Sequence, residues 1–394
     1  MKILTFSTLF PNTEKPGHGI FVETRLRHLV ASGKVESRVV APVPWFPSSD
    51  ARFGDYARMA KVPREEVRYG LRVAHPRYPV LPKVGMSVAP LLLAQAVKPA
   101  IARIIDEGYD FDLIDAHYFY PDGVAAAMLA RYFNKPLVIT ARGSDITLLT
   151  QYALPRRMIR WAARRADAVI TVCNALRDEV VGLGVDAARV TSLRNGVDLN
   201  LFRPVERQDN GVFTLLTVGH LVPVKAQELI IGALPLLANV RLVVAGDGPD
   251  RRMLEELAQQ LKVQDRVRFL GAVPQAELRA HYGAADALVL ASSREGWANV
   301  LLESMACGTP VVASRVYGTP EVVASPEAGV LMAERTPRGV ADAVNALRAN
   351  YPERAATRRY AERFSWDDTS AGQLRLFEQV LARRVRCTAD ALSY

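Results

Sequence analysis

Two carboxylates eight residues apart, Glu295 and Glu303, fall in the segment EGWANVLLESMACGTPVVA, Glu295–Ala313. A Gly–Trp–Ala–Asn loop follows the first acid and a helical pattern carries the second. Cys307-Gly308-Thr309-Pro310 then turns the chain into an apolar run that reads as a buried strand. Glu303 has Leu301, Leu302, Met305 and Ala306 around it. A solvent-facing helix residue is the plain alternative. An acid among apolar neighbours, however, needs hydrogen-bonding partners, and ligand hydroxyls would serve. As a glycosidase pair the two acids would have to lie about 5–9.5 Å apart, whereas eight helical residues span roughly 12 Å, so that reading is disfavoured. Metal chemistry finds little support. Asp110-Phe111-Asp112 matches an Asp-x-Asp pattern but opens a buried strand, and the six histidines show no zinc-ligand spacing. The three cysteines (Cys173, Cys307, Cys387) are far apart and form no CxxC pair.

Such groups need a scaffold to hold them, and 394 residues suggest two domains. The first half alternates short apolar runs with helical patterns. Strands are expected at Lys2–Ser7, Ser37–Ala41, Asp112–His117, Leu137–Ala141, Ala168–Val172 and Val190–Leu193. Helices are expected at Ile20–Ala31, Val88–Glu107, Gly123–Tyr132, Pro155–Arg165 and Leu176–Gly182. The second half repeats the layout, with strands at Thr214–Val218, Arg241–Ala245, Val267–Leu270, Ala287–Leu290, Val311–Ala313 and Val330–Met332. Its helices are expected at Lys225–Leu237, Pro249–Gln260, Gln275–Tyr282, Val300–Cys307, Pro320–Ala324, Pro337–Asn350 and Glu353–Phe364. Apolar runs of this kind suit parallel sheets covered on both faces. The fold class is therefore α/β, with two Rossmann-like doubly wound domains, residues 1–200 and 201–366. The turn-rich segment Asn195–Gly211 marks the boundary. Ligands of open α/β sheets sit beyond the carboxyl ends of the strands, so two domains facing across a cleft would place the site in that cleft.

Ile3–Phe10 breaks at Pro11, turns polar and lacks a small-residue cleavage site, so it reads as a buried strand rather than a leader. No apolar run reaches the ~18 residues that span a bilayer. The richest stretch, Val84–Ile105, is interrupted by Pro90, Gln95, Lys98, Pro99 and Arg103. The net charge of +9 is concentrated in residues 1–200, which hold 27 Lys and Arg against 19 Asp and Glu. Its densest part is RRMIRWAARR, where Arg156, Arg157, Arg160, Arg164 and Arg165 flank Met158, Ile159 and Trp161. This pattern is either a solvated helix face or a surface for anionic lipid headgroups. No recognition motif accompanies the charge, so nucleic acid is not an expected partner.

The segment Glu295–Ala313, together with VGHLVPVKA (Val218–Ala226), GDGP (Gly246–Pro249) and NGVD (Asn195–Asp198), resembles the retaining glycosyltransferases of family 4. The likeness covers nearly the whole chain. PGHGIFVETRLRHL (Pro16–Leu29), DAHYFYPDGVAAA (Asp115–Ala127) and ARGSDI (Ala141–Ile146) extend it to polysaccharide-assembly members. The resemblance implies a GT-B architecture: an acceptor-binding first domain, a donor-binding second domain, and a C-terminal helix (about 367–394) that crosses back to the first. It implies transfer from a nucleotide diphosphate sugar, such as a UDP- or GDP-sugar, to a glycan or lipid-linked acceptor. Anomeric configuration would be retained and no metal or other cofactor used. The polysaccharide-assembly likeness and the basic first half point to a cytoplasmic protein, peripheral at the inner face of the cell membrane.

Carried over by position, Glu303 would hold the ribose hydroxyls, while Glu295 and the loop Gly296, Trp297, Ala298, Asn299 and Val300 would hold the donor sugar. Lys225 would bind the diphosphate, and Gly271–Val273 would bracket the base through backbone groups, with Val273 in contact. Departure of a nucleoside diphosphate loads negative charge onto phosphate oxygens, which fixed cations and helix N-terminal N–H groups stabilise. Gly17 and Gly19, ahead of the helix near Ile20, would let the backbone approach phosphate or acceptor; a simple turn is the alternative.

Two positions depart from the commonest family pattern. His220 stands where an arginine usually accompanies the lysine, and it is a weaker, pH-dependent cation. Arg142 stands where many members have histidine, and arginine cannot serve as a base. Arg142 would then hold a phosphate, and His117, at a strand's carboxyl end, would contact the donor sugar or acceptor unless it is simply a packed histidine. Asp145 would orient Arg142, bind acceptor hydroxyls or cap the following helix. The competing readings are a nucleotide-sugar epimerase on the same architecture and a non-catalytic partner subunit.

Overall fold

The computed structural model describes residues 1–46, 48–50, 52, 54–80, 85–206 and 211–391. The chain divides into two compact units, Met1–Leu193 with Asp367–Tyr394, and Arg194–Trp366.

The first unit is built on an eight-stranded sheet. Its strands are β1 (Lys2–Phe6), β2 (Glu36–Val40), β4 (Glu65–Arg68), β5 (Leu71–Ala74), β7 (Leu113–His117), β8 (Leu137–Ala141), β9 (Ala168–Thr171) and β10 (Val190–Ser192). The intervening β3 (Val43–Trp45) and β6 (Arg77–Pro79) form a separate parallel pair. The order is β10-β9-β8-β7-β1-β2-β5-β4, parallel except that β4 runs antiparallel to β5. The central strands β7, β8 and β9 are buried throughout; β8 and β9 are Val- and Ile-rich, as buried parallel strands usually are, whereas β7 also buries Asp115 and His117.

The strands between residues 43 and 79 and the short helices Asp55–Lys61 and Ser144–Thr147 lie outside the sequence expectation. Exposure alternates along β4 and β5, as befits the sheet edge, and a four-residue stretch is too short to carry a clear periodic signal. The helix Gly85–Asp106 also corrects the expectation that no run is long enough to span a bilayer. By length and composition its stretch Ser87–Asp106 would do so. It nonetheless contains Pro90, Lys98, Pro99 and Arg103, and Leu93, Val97 and Ile101 are fully buried within the unit.

The second unit holds a six-stranded, wholly parallel sheet: β11 (Phe213–Val218), β12 (Val240–Ala245), β13 (Val267–Gly271), β14 (Ala287–Leu290), β15 (Val311–Ser314) and β16 (Gly329–Met332). The order β13-β12-β11-β14-β15-β16 reverses direction between β11 and β14, as the first sheet does between β1 and β7. These reversals are the switch points at which loops diverge and leave room for a ligand. Both units are therefore doubly wound, in keeping with the alternating pattern. Part of the proposed boundary segment, residues 207–210, lies outside the described residues.

The last helix, Trp366–Ala391, starts at the end of the second unit and belongs from Asp367 onward to the first. Leu374, Phe377 and Val380 enter the same apolar cluster as Ile3, Leu26, Val39, Leu113 and Val138. Because Phe377 is fully buried there, Phe377→Ala should cost the first unit about 3–5 kcal/mol. Urea denaturation of the full chain, followed through that unit's transition, measures it.

Candidate active site

In the second unit the loops that follow β11 and β12 pack backbone against backbone. Gly246 sits at φ 156°, and a Cβ there would strike the Gly219 carbonyl; at Gly248 it would strike the backbone of Leu221. This is the physical content of the GDGP motif: only glycine permits the approach. Beside these loops lies a pocket of about 550 Å³ lined by Val218, Gly219, His220, Ala245, Gly246, Asp247, Gly248, Ala272, Val273 and Leu278. Its size suits a small molecule, and backbone and small side chains dominate its wall. Of the sequence-assigned residues, His220 and Val273 line it directly.

Lys225 ends a short 3₁₀ turn, Pro223–Lys225, and Ala226 adopts φ 51° before the helix begins at Gln227. The sequence pattern puts Lys225 at the helix start; in the structure it leads in from the loop after β11. Its Nζ donates to Glu295 Oε1 at 2.6 Å. The backbone N–H and the hydroxyl of Ser293 donate to the Val224 carbonyl at 2.8 and 3.3 Å, so the loops after β11 and β14, the two strands at the switch point, are tied at two adjacent residues. Lys225 also passes close to the pocket, its Cε 3.8 Å from where a Cβ on Gly219 would stand.

Helix Asn299–Ala306 buries Glu303, which is 7% exposed. Tyr282 Oη donates to its Oε2 at 2.8 Å and Gln275 Nε2 to its Oε1 at 3.0 Å. Gln275 and Tyr282 belong to helix Gln275–Ala284, which also gives Leu278 to the pocket wall. Neither is legible in the sequence: Tyr282 occupies an apolar face and looks like core, and Gln275 is one polar residue at a helix start. Of the loop between the two acids, Trp297 packs its ring 6.0 Å from Phe364, with the Arg194 guanidinium 5.6 Å above it. Asn299 Oδ1 accepts from Asn195 Nδ2 at 3.2 Å, joining the NGVD turn to the EGWAN loop. Gly296 and Val300 flank these groups, and Ala298 precedes the helix.

In the first unit, His117 ends β7 and Arg142 follows β8. Arg142 Nη2 lies 2.6 Å from His117 Nδ1, and His117 Nε2 lies 3.2 Å from Asp115 Oδ2. Burial lowers the His117 pKa, so the ring is neutral, packed and engaged on both nitrogens. Asp145 is fully buried and accepts from the backbone N–H groups of Phe119 (2.8 Å), Gly143 (2.8 Å) and Arg142 (3.1 Å). Its carboxylate thus holds the backbone of the turn that carries Arg142, and the cap position of the following helix is Gly143 rather than Asp145. Gly19 adopts φ 69°, and a Cβ there would collide with the Leu9 carbonyl, whereas a Cβ on Gly17 would meet open space. The backbone demand in that loop therefore falls on Gly19.

Among the described residues no group of three or more His, Cys, Asp or Glu side chains is arranged to hold a metal ion. The acids of the Asp-x-Asp pattern have other work: Asp110 binds Lys135 at 2.6 Å, and Asp112 accepts from the Lys2 backbone at 2.7 Å.

Burial raises the pKa of Glu303 above its ordinary 4.5, outweighing the bonds from Tyr282 and Gln275 that favour the anion. A carboxyl with a raised folded pKa keeps its proton in the native state after the unfolded chain has lost it. Stability should therefore fall as pH rises from about 4.5 through the folded pKa. Relative to Glu303→Gln, the wild type should lose stability over that interval; urea midpoints at pH 4 to 8 test the sign.

Two family models match the chain: Glycosyltransferase Family 4 over residues 17–201 and Glycosyl transferases group 1 over residues 200–364. Glycogen synthase of Mycobacterium tuberculosis is 31% identical over 289 residues, covering 69% of this chain and 70% of that protein. A phosphatidylinositol N-acetylglucosaminyltransferase component of Arabidopsis thaliana is 30% identical over 60% of this chain, which spans about half (54%) of that relative's length. Among solved structures, sucrose-phosphate synthase from Thermosynechococcus elongatus superposes with a TM-score of 0.81 at 20% identity, covering 97% of this chain and 100% of that one, and it shares the fold. The chain belongs to glycosyltransferase family 4 and is a glycosyltransferase.

Proposed function

We propose that the enzyme moves a sugar from a nucleotide diphosphate sugar, a UDP- or GDP-sugar, to a glycan or lipid-linked acceptor in cell-surface polysaccharide assembly, with retention of anomeric configuration. The observation that carries this is the glycine-lined pocket beside the Lys225–Glu295 pair, at the switch point of the second sheet. Backbone N–H groups of the loops after β11 and β12 suit phosphate oxygens. A diphosphate arriving there competes with Glu295 for Lys225. Once displaced, the Glu295 carboxylate is available to accept hydrogen bonds from donor-sugar hydroxyls. Lys225 and the N-terminus of helix Asn299–Ala306 then stabilise charge on the departing phosphate, while Glu303 takes the ribose hydroxyls in exchange for one of its protein donors. His220 contributes a hydrogen bond at the pocket wall, and Arg142, aimed by His117 and Asp145, meets an anionic group of donor or acceptor. Both relatives above support a glycan or lipid acceptor by their names alone, one a glycogen synthase and the other a phosphatidylinositol N-acetylglucosaminyltransferase component.

Lys225→Ala and Glu303→Ala should each lower turnover about 100-fold or more while the protein stays folded. The assay is a thermal-shift screen of UDP, GDP and ADP and their sugars, followed by transfer and NMR of the product anomer. Full activity in both variants would remove the site assignment, and an inverted product would remove retention.

A lipid-linked acceptor places the enzyme at an anionic membrane surface, the inner face of the cell membrane. Helix Ala153–Arg165 exposes Arg156, Arg157, Arg160, Arg164 and Arg165, with Tyr152 and Leu154 exposed at its start. Cations beside exposed apolar side chains are the combination that headgroups and acyl boundaries recognise together. Flotation with phosphatidylglycerol vesicles at low salt should carry the wild type and leave the Arg156→Glu, Arg157→Glu, Arg160→Glu triple variant behind. Equal flotation of both would overturn this reading.

A further inference from the structure

We propose that Gln373, on the C-terminal helix, is a positioning residue for His117, acting through Asp115. The inference rests on the reading that the His117–Arg142 pair serves the transfer reaction.

The geometry is a single chain of hydrogen bonds inside the first unit. Arg25 Nε donates to Gln373 Oε1 at 2.7 Å, and Gln373 Nε2 donates to Asp115 Oδ2 at 3.0 Å. The same Asp115 oxygen lies 3.2 Å from His117 Nε2, and His117 Nδ1 lies 2.6 Å from Arg142 Nη2. A guanidinium only donates. Nδ1 must therefore accept, and the ring proton must sit on Nε2 and point at Asp115. One tautomer alone satisfies every link. Arg25, Asp115, His117 and Gln373 are each at most 1% exposed, so water does not substitute for a missing partner.

Two features single out Gln373. Asp115 Oδ1 is buried without a hydrogen-bond partner, so the carboxylate is held through Oδ2, which His117 and Gln373 share. Without Gln373 the carboxylate could turn, and the His117 tautomer would lose its anchor. Gln373 must also accept from a cation on one side and donate to an anion on the other. A primary amide does both while staying neutral, which matters where the Arg25, Arg142 and Asp115 charges already face His117 at close range. The connection runs across 348 residues to Arg25 and 258 to Asp115, so the last helix of the chain completes the setting of a side chain at the end of β7.

The test uses the full chain. Gln373→Met keeps the volume and removes both bonds; Gln373→Glu keeps the bond from Arg25 but cannot donate to Asp115. In ¹⁵N-histidine NMR the wild-type His117 should show the single Nε2–H tautomer, and both variants should show a mixture. With the UDP- or GDP-sugar that the thermal-shift screen identifies, kcat should fall about tenfold while donor KM stays within about twofold. In a His117→Ala background Gln373→Met should cause no further loss, because its effect passes through the histidine. A structural residue would instead lower stability, leave the tautomer fixed and add its loss to that of His117→Ala. A fixed tautomer with unchanged kcat in the Gln373 variants, alongside an inactive His117→Ala, overturns the positioning role alone. Full activity in His117→Ala overturns the role of the pair in transfer and leaves the tautomer result standing.

Discussion

The structure depends on one constraint of parallel sheets: all strands point the same way, so every following loop emerges at the same edge. Where the strand order reverses, the two adjacent loops run off to opposite faces and leave a gap no helix fills. In the second unit that gap falls between β11 and β14, and Lys225 and Glu295 stand on its two lips. In the first it falls between β1 and β7. There Asp122, just beyond β7, accepts from the backbone and hydroxyl of Thr8 beyond β1, and His117 terminates β7. Chemistry-bearing residues collect at these edges because the backbone geometry delivers them there.

The polar groups singled out at these edges already have protein partners. Lys225 is matched by Glu295, Glu303 by Tyr282 and Gln275, His117 by Asp115 and Arg142. Leaving such groups buried and alone would cost far more than holding them in pairs. Hydroxyl- and phosphate-bearing ligands offer the same bonding chemistry, so exchange between protein and ligand partners keeps the number of satisfied groups nearly constant.

The two departures from the family pattern acquire different meanings. His220 lines the pocket, where a histidine offers a weaker, pH-dependent charge than an arginine. Arg142 is turned toward His117 and carried on a turn fixed by Asp145. An arginine there dictates the histidine's tautomer, which a second neutral histidine would not do with the same certainty, because its own donor pattern is free to vary.

The sequence by itself determined the alternation of buried strands and helices, hence two doubly wound units, because the 2.0 and 3.6 periodicities and Val/Ile-rich runs are local properties. It pointed to a backbone demand in the loop before the first helix, which the structure places at Gly19 and not at Gly17, since positive φ and close backbone contact leave few other residues possible. It marked Glu303 as an acid in an apolar setting. Only the tertiary structure decided which groups share a bond. The Lys225–Glu295 pair spans 70 residues, Tyr282–Glu303 spans 21, and Gln373 reaches Asp115 across 258. Nothing in the spacing of a sequence encodes a contact between helices or loops whose meeting point is set by how sheets twist and helices pack. Tyr282 and Gln373 therefore look like an ordinary core aromatic and an ordinary helix amide until the packed structure supplies their partners.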